Sequence, residues 1–152
     1  MRENDLARPA VTVATIVVRD NTFLCVEEET RHGLRLNQPA GHLEPGETLV
    51  AAAVRETLEE TAYSVEPVAL VGIYRWQMPG TFSTFVRFSF LAEVVLHDPG
   101  RKLDRGIVRT HWLDYATLAA RRHEHRSPLV MRCFDDYIAG TRLPLSLLTE
   151  MS

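Results

Sequence analysis

The sequence has only two cysteines in 152 residues, Cys25 and Cys133. Each stands alone in an apolar setting, Leu24-Cys25-Val26 and Arg132-Cys133-Phe134. They read as two buried thiols rather than a disulfide or a catalytic pair. No apolar run approaches the ~18 residues that a membrane span needs. The N-terminal stretch Met1-Arg2-Glu3-Asn4-Asp5 lacks the apolar core of a signal peptide. A cytoplasmic protein without membrane attachment is expected. An excess of one charge is also missing: 17 Lys and Arg against 20 Asp and Glu leave a net charge of -3. No bulk field draws the chain to a nucleic acid polymer. A polyphosphate substrate would have to be neutralised locally, by metal or by a few arginines. His32, His97, His111, His123 and His125 show no metal-ligand spacing, and His123-Glu124-His125 reads as a solvated loop.

What is present is ordinary globular material, 45% hydrophobic and 24% charged. The length suits one domain over residues 1–152, with no repeat or linker to divide it. Ala10 to Val18 is dense in β-branched residues and predicts a strand. Asp20-Asn21 predicts a turn into a second strand from Thr22 to Val26. A short extended piece follows at Leu34 to Leu36. Further strands are expected at Val68 to Tyr74, Phe85 to Val95 and Ile107 to Leu113, with Pro79-Gly80 turning between the first two. Asp114 caps a short helix through Ala120, and Ser127-Pro128 opens another that ends before Gly140. The fold class is α/β (α+β), a mixed sheet between helices.

Between Thr48 and Thr61 the period changes. Val50, Ala53, Val54, Thr57, Leu58 and Thr61 follow helical spacing, so one face packs on a core. Glu47 and Thr48 stand at its start as acidic or capping residues. The other face carries Glu56, Glu59 and Glu60, with about 5–6 Å between Cβ atoms four residues apart. Like charges at that spacing destabilise a helix by roughly 0.2–0.5 kcal/mol per pair. Two lie in the last turn, where the helix dipole disfavours each by about 0.3–1 kcal/mol. Only Arg55 offers nearby relief. A helix so charged is suited to receive a hard cation, Mg²⁺ or Mn²⁺.

The loop before the helix, Gly41-His42-Leu43-Glu44-Pro45-Gly46-Glu47, together with Arg55-Glu56-Thr57-Leu58-Glu59-Glu60, resembles the Nudix box. Gly41, Glu47, Arg55, Glu56, Glu59, Glu60 and Tyr63 fit its register. Thr57 stands where the box has an aliphatic residue, and Ala62 where it has glycine. The second departure bears on the helix end, because glycine there supports a positive φ. Asn37-Gln38-Pro39-Ala40-Gly41-His42-Leu43-Glu44, the arginine in Phe85-Val86-Arg87-Phe88, and Arg126-Ser127-Pro128-Leu129-Val130 resemble the bacterial NudJ-type branch. That branch comprises phosphatases of thiamine-type pyrophosphates and of nucleoside di- and triphosphates.

The resemblance implies a Nudix fold and a metal-dependent hydrolase of a small phosphorylated substrate. It implies Glu56 and Glu60 as the principal metal ligands, Glu59 as a ligand or water-orienting base, and the Gly41 carbonyl as a further ligand. Arg55 would orient a carboxylate, Glu47 or Glu59, and Glu47 is either a loop lock or a metal neighbour. Family members often carry another glutamate ahead of the strand that ends in tryptophan; here Gly106 holds that place and Asp104 lies close by. The base is therefore a box glutamate or Asp104. Arg87, alone among apolar residues in mid-strand, needs a partner, either a phosphate or a structural carboxylate. Trp76 either stacks a substrate ring or packs at a sheet edge. His42 reads as a loop residue. Open alternatives are release of pyrophosphate from a nucleoside triphosphate, cleavage of a dinucleotide or nucleotide sugar, and a nucleotide-sensing binding module. Monomer and homodimer are both compatible with the sequence.

Overall fold

The computed structural model describes residues 8–151; the N-terminal stretch Met1 to Asp5 lies outside them. Seven strands form a mixed sheet: β1 Ala10–Arg19, β2 Thr22–Thr30, β3 Gly33–Asn37, β4 Ala40–His42, β5 Tyr63–Gln77, β6 Thr84–His97 and β7 Ile107–Asp114. The helices are α1 Leu49–Thr61, α2 Tyr115–Ala120 and α3 Pro128–Ile138. Strand order is β3-β2-β1-β6-β5, with β4 added to β1 and β7 to β2. β1 and β6 run parallel, and the other pairs are antiparallel.

β1 is buried on both faces, which explains why its residues read as a continuous apolar run rather than an alternation. Val13 packs with Ala52 and Ala53 of α1 and with Leu70 and Phe90. Ile16 belongs to the opposite cluster, with Val130, Met131 and Phe134 of α3. Asp20 and Asn21 both have positive φ, 50° and 60°, the backbone of a two-residue hairpin turn whose twist matches the strands. Cys25 and Cys133 are free and fully buried, as expected, and burial pushes the Cys25 thiol up to about 12.

Thr48 caps α1 by accepting the Ala51 N–H at 3.0 Å, and Glu47 turns elsewhere. The departure at the far end of the box is visible in the backbone. Ala62 takes the left-handed conformation, φ 63° and ψ 15°, and its N–H returns to the Leu58 carbonyl. That conformation disfavours a non-glycine residue by about 1–2 kcal/mol, while a buried methyl contributes about 0.8 kcal/mol. Ala62→Gly should therefore raise Tm by up to about 5 °C, at ~2–4 °C per kcal/mol for a chain of this size. Ala62→Val, with a branched Cβ, should lower it by more than about 4 °C. Thermal melts followed by circular dichroism check both.

Three features differ from expectation. β5 begins at Tyr63, directly after α1, and not near Val68. Pro67 masks that start, but β5 is an edge strand and its register shifts between Pro67 and Ala69, where a missing N–H is tolerated. β4 is three residues long, too short to show an alternation. His125 is buried, with Nε2 3.0 Å from the Leu118 carbonyl, so it is not part of a solvated loop.

Candidate active site

Arg55 ties the Gly41–Glu47 loop to α1. Its Nε and Nη2 donate to Glu47 at 3.0 and 2.7 Å, and Nη2 also donates to the His42 carbonyl at 3.0 Å. Nη1 reaches Glu56 at 2.9 Å and Glu59 at 3.2 Å. Glu47 accepts the Glu44 N–H at 2.8 Å as well, so it locks the loop. The Arg55 guanidinium holds the Glu47 carboxyl below its ordinary range, and Glu47 in return holds Arg55 firmly protonated.

Glu56 lies against Gly41. A Cβ at Gly41 would sit 2.0 Å from the Glu56 carboxyl carbon, so only glycine lets that carboxylate occupy its place. Burial raises the Glu56 pKa, and Arg55 offsets part of the rise. The loop between β6 and β7 docks on the end of α1 through the Asp104 N–H, which donates to the Glu59 carbonyl at 2.9 Å. Carboxylate oxygens of Glu56, Glu59 and Asp104 consequently fall within 4.8 Å of one another. Octahedral Mg²⁺, at ~2.0–2.1 Å from each ligand, needs oxygens roughly 3–4 Å apart. A small inward movement of these three side chains suffices, and an all-oxygen donor set suits that ion.

Glu60 stands apart from the trio. It is 8% exposed and accepts the Ala40 N–H at 2.8 Å. Burial is the main reason its carboxyl is pushed up to about 9, with the nearby Glu28, Glu56 and Asp104 charges adding to the effect. The Thr57 departure is accommodated: its hydroxyl is buried and lies 2.8 Å from the Thr15 hydroxyl.

A cleft of about 270 Å³ begins at Ala40, Gly41 and His42 and runs over the α3 side of the sheet. Arg87 and Trp76 both line it. Arg87 is 6% exposed; its Nη1 donates to the Gln38 side-chain oxygen at 3.3 Å, and its Nε has no partner. Gln38 is a fixed neutral amide, donating to the Thr15 carbonyl and the Ser89 hydroxyl. No carboxylate lies within ion-pair distance of Arg87 among the described residues. Burial lowers its pKa. Trp76 stacks on Phe85 with ring centroids 5.8 Å apart. Sequence reasoning did not single out Thr12 or Glu28, which also line the cleft, because a threonine and a glutamate in strands carry no motif.

Comparison with known proteins places this geometry in a family. A Nudix domain is matched over residues 8–133. Phosphatase NudJ of Shigella boydii serotype 4 (strain Sb227) is 37% identical over 145 residues, covering 95% of this chain and 94% of its own. Phosphatase NudJ of Escherichia coli (strain K12) shows the same identity and coverage. A solved Nudix hydrolase from Nitrosomonas europaea superposes with a TM-score of 0.92 at 48% identity, covering 95% of this chain and 98% of that one. A UDP-X diphosphatase at 16% identity and TM-score 0.71 shares the fold. With box, fold and relatives in agreement over nearly its whole length, the chain belongs to the Nudix hydrolases, in their NudJ-type branch.

Proposed function

We propose that this hydrolase removes the terminal phosphate of a nucleoside di- or triphosphate, or of a thiamine-type pyrophosphate, as orthophosphate. The supporting observation is Arg87: a buried guanidinium without a counter-charge, in a cleft that opens beside Gly41 and hence beside Glu56. An uncompensated buried cation is costly to the protein alone, and an anionic ligand removes that cost. The cleft volume of about 270 Å³ lies just below the ~300–1,000 Å³ usual for small-molecule pockets, which favours one ring and its diphosphate over a dinucleotide.

Glu56, Glu59 and Glu60 on α1, with Asp104 and the Gly41 carbonyl nearby, are the groups to hold Mg²⁺ or Mn²⁺. The bound ion would supply charge neutralisation at the phosphoryl oxygens and a water of lowered pKa. Arg55 holds the Glu56 and Glu59 carboxylates in place without touching substrate, and its charge offsets part of the rise that burial gives the Glu56 pKa. Glu59 or Asp104 takes the proton of the attacking water. Arg87 holds the inner phosphate, so that the terminal phosphorus lies over the carboxylates. Trp76 bears the face of the ring. The enzyme acts as a single domain over residues 1–152, in the cytoplasm, as a monomer or homodimer.

Register decides the product. If the inner phosphate sits on Arg87, a nucleoside triphosphate gives the diphosphate first and the monophosphate later, with orthophosphate throughout. Chromatography of a time course should show the diphosphate rise and fall. Monophosphate and pyrophosphate appearing together from the first turnover would mean that the water attacks one phosphorus further in.

A further inference from the structure

The cleft holds a second arginine. Arg126 lines it beside Glu28, and its side chain is 49% exposed. Its ion-pair contact among the described residues is Nε to Glu28 Oε1 at 3.8 Å, too long for a direct hydrogen bond. Glu28 is also engaged by Asn37, whose Nδ2 donates to the same Oε1 at 3.4 Å. The Arg126 fork of Nη1 and Nη2 makes no hydrogen bond among the described residues, while the backbone that carries it is fixed. Its N–H donates to the Leu36 carbonyl of β3 at 2.8 Å, and the next residue, Ser127, caps α3. A held stem with an unengaged guanidinium suits an anion that enters from solvent.

The helix behind it adds attraction but few donors. No acidic residue stands in the first turn of α3, so nothing on that turn offsets the positive end of the dipole. Pro128 has no N–H, and those of Leu129 and Val130 already donate to the Ser127 hydroxyl and carbonyl at 3.2 Å each. The helix supplies field, and Arg126 supplies the hydrogen bonds.

Position along the cleft assigns the anion. Strand order runs from Trp76 on β5 to Phe85 and Arg87 on β6, then to β1, to Glu28 on β2 and to β3, which Arg126 adjoins. Arg87 thus lies between the ring platform and Arg126. The Arg126 end is also the carboxylate end. Asn37, beside Glu28, leads through Gln38 and Pro39 to Ala40, whose N–H is held by Glu60. With a ring on Trp76 and the inner phosphate on Arg87, the terminal phosphate reaches Arg126.

We propose that Arg126 binds the terminal phosphate through its unesterified oxygens, and so selects substrates that end in a free phosphate over those whose outer phosphate carries a second ester. This rests on the phosphate register given above. A free terminal phosphate offers three acceptor oxygens, and those that the metal leaves can meet the Nη fork side by side. Bound between Glu28 and the phosphate, the guanidinium also keeps two anions apart. In ADP-ribose or a dinucleotide one of those oxygens bears carbon, which removes a charge and sets bulk against Arg126.

The test titrates wild type and Arg126→Gln in a calorimeter, in Mg²⁺, with inorganic phosphate and with adenosine monophosphate. The first probe is the terminal group alone; the second is the ring with its inner phosphate. The variant should bind inorganic phosphate about tenfold to hundredfold more weakly, the scale of a hydrogen bond to a charged group, and adenosine monophosphate as tightly as wild type. Its kcat/KM for adenosine diphosphate should fall by a similar factor. Arg126→Lys keeps the charge but not the fork, so it should recover part of the loss, and it carries the test if the first variant does not fold. Brisk orthophosphate release by wild type, with phosphate affinity unchanged in both variants, overturns the role of Arg126 and leaves the phosphatase reading intact. Weaker phosphate binding in Arg126→Gln, with no orthophosphate from any diphosphate in wild type, supports the anion subsite and overturns the phosphatase reading. Equal weakening of both probes would place Arg126 on the inner phosphate and overturns the terminal assignment.

Discussion

Glu60→Gln should retain the fold and lose turnover by several orders of magnitude, because a neutral amide is a poorer ligand for a hard cation than a carboxylate. The fold should survive because glutamine keeps an oxygen for the Ala40 N–H and, like the protonated carboxyl, carries no charge beside Glu28, Glu56 and Asp104. The same variant has a signature in stability. A carboxyl raised from its ordinary value to about 9 is neutral in the folded protein while the unfolded chain would already ionise it. Its contribution is unimpaired below about 4.5 and declines as pH rises toward 9, because the unfolded state releases the proton and the folded state does not. The metal-free wild type should lose stability between pH 5 and pH 9, and Glu60→Gln should be flatter over that window. Glu47 and Glu27 are shifted the other way, so their contributions are lost only as pH falls below the ordinary carboxylate range. Denaturant melts in a chelator at pH 5, 7 and 9 make the comparison. Near wild-type turnover in Glu60→Gln would falsify its place in the metal site.

Gly41→Ala should lower turnover by about 10²-fold, the scale on which a displacement of roughly 1 Å acts in an active site. The added Cβ meets Glu56 side-chain atoms at 2.0 to 2.3 Å, and that carboxylate must leave. Gly41 has no positive φ, so the effect comes from crowding and not from backbone strain. Since the clash is with the end of a flexible side chain, Tm should fall little, while the Mg²⁺ concentration for half-maximal rate should rise severalfold. A large loss of Tm with unchanged metal dependence would assign Gly41 to folding instead.

The candidate site was legible in the sequence through charge. Glu56, Glu59 and Glu60 at helical spacing, with Arg55 beside them, mark an acidic face suited to a cation. The box register adds Gly41 and Glu47. Distances were not legible. Nothing in the spacing distinguishes Glu60, turned to the Ala40 N–H, from Glu59, which meets Asp104 across a loop closure of more than forty residues. The two readings of Arg87 were equal in the sequence, and only the fold could show that the group beside its Nη1 is the neutral Gln38 amide. Strand boundaries were read well where both faces are buried, as in β1, and poorly at β5, where an edge strand tolerates a proline and a bulge. Ala62 was flagged from the box alone, and its left-handed backbone bears that out.

The central claim is that the α1 carboxylates and a divalent ion release orthophosphate from the end of a ring-bearing di- or triphosphate. Its most direct test measures orthophosphate and pyrophosphate separately over thiamine pyrophosphate, nucleoside di- and triphosphates and ADP-ribose, with Mg²⁺ and with a chelator. The account predicts orthophosphate from the diphosphates and triphosphates in Mg²⁺, none in chelator, and little cleavage of ADP-ribose. Turnover that persists in chelator, or rapid cleavage of ADP-ribose with no orthophosphate from any diphosphate, would contradict it.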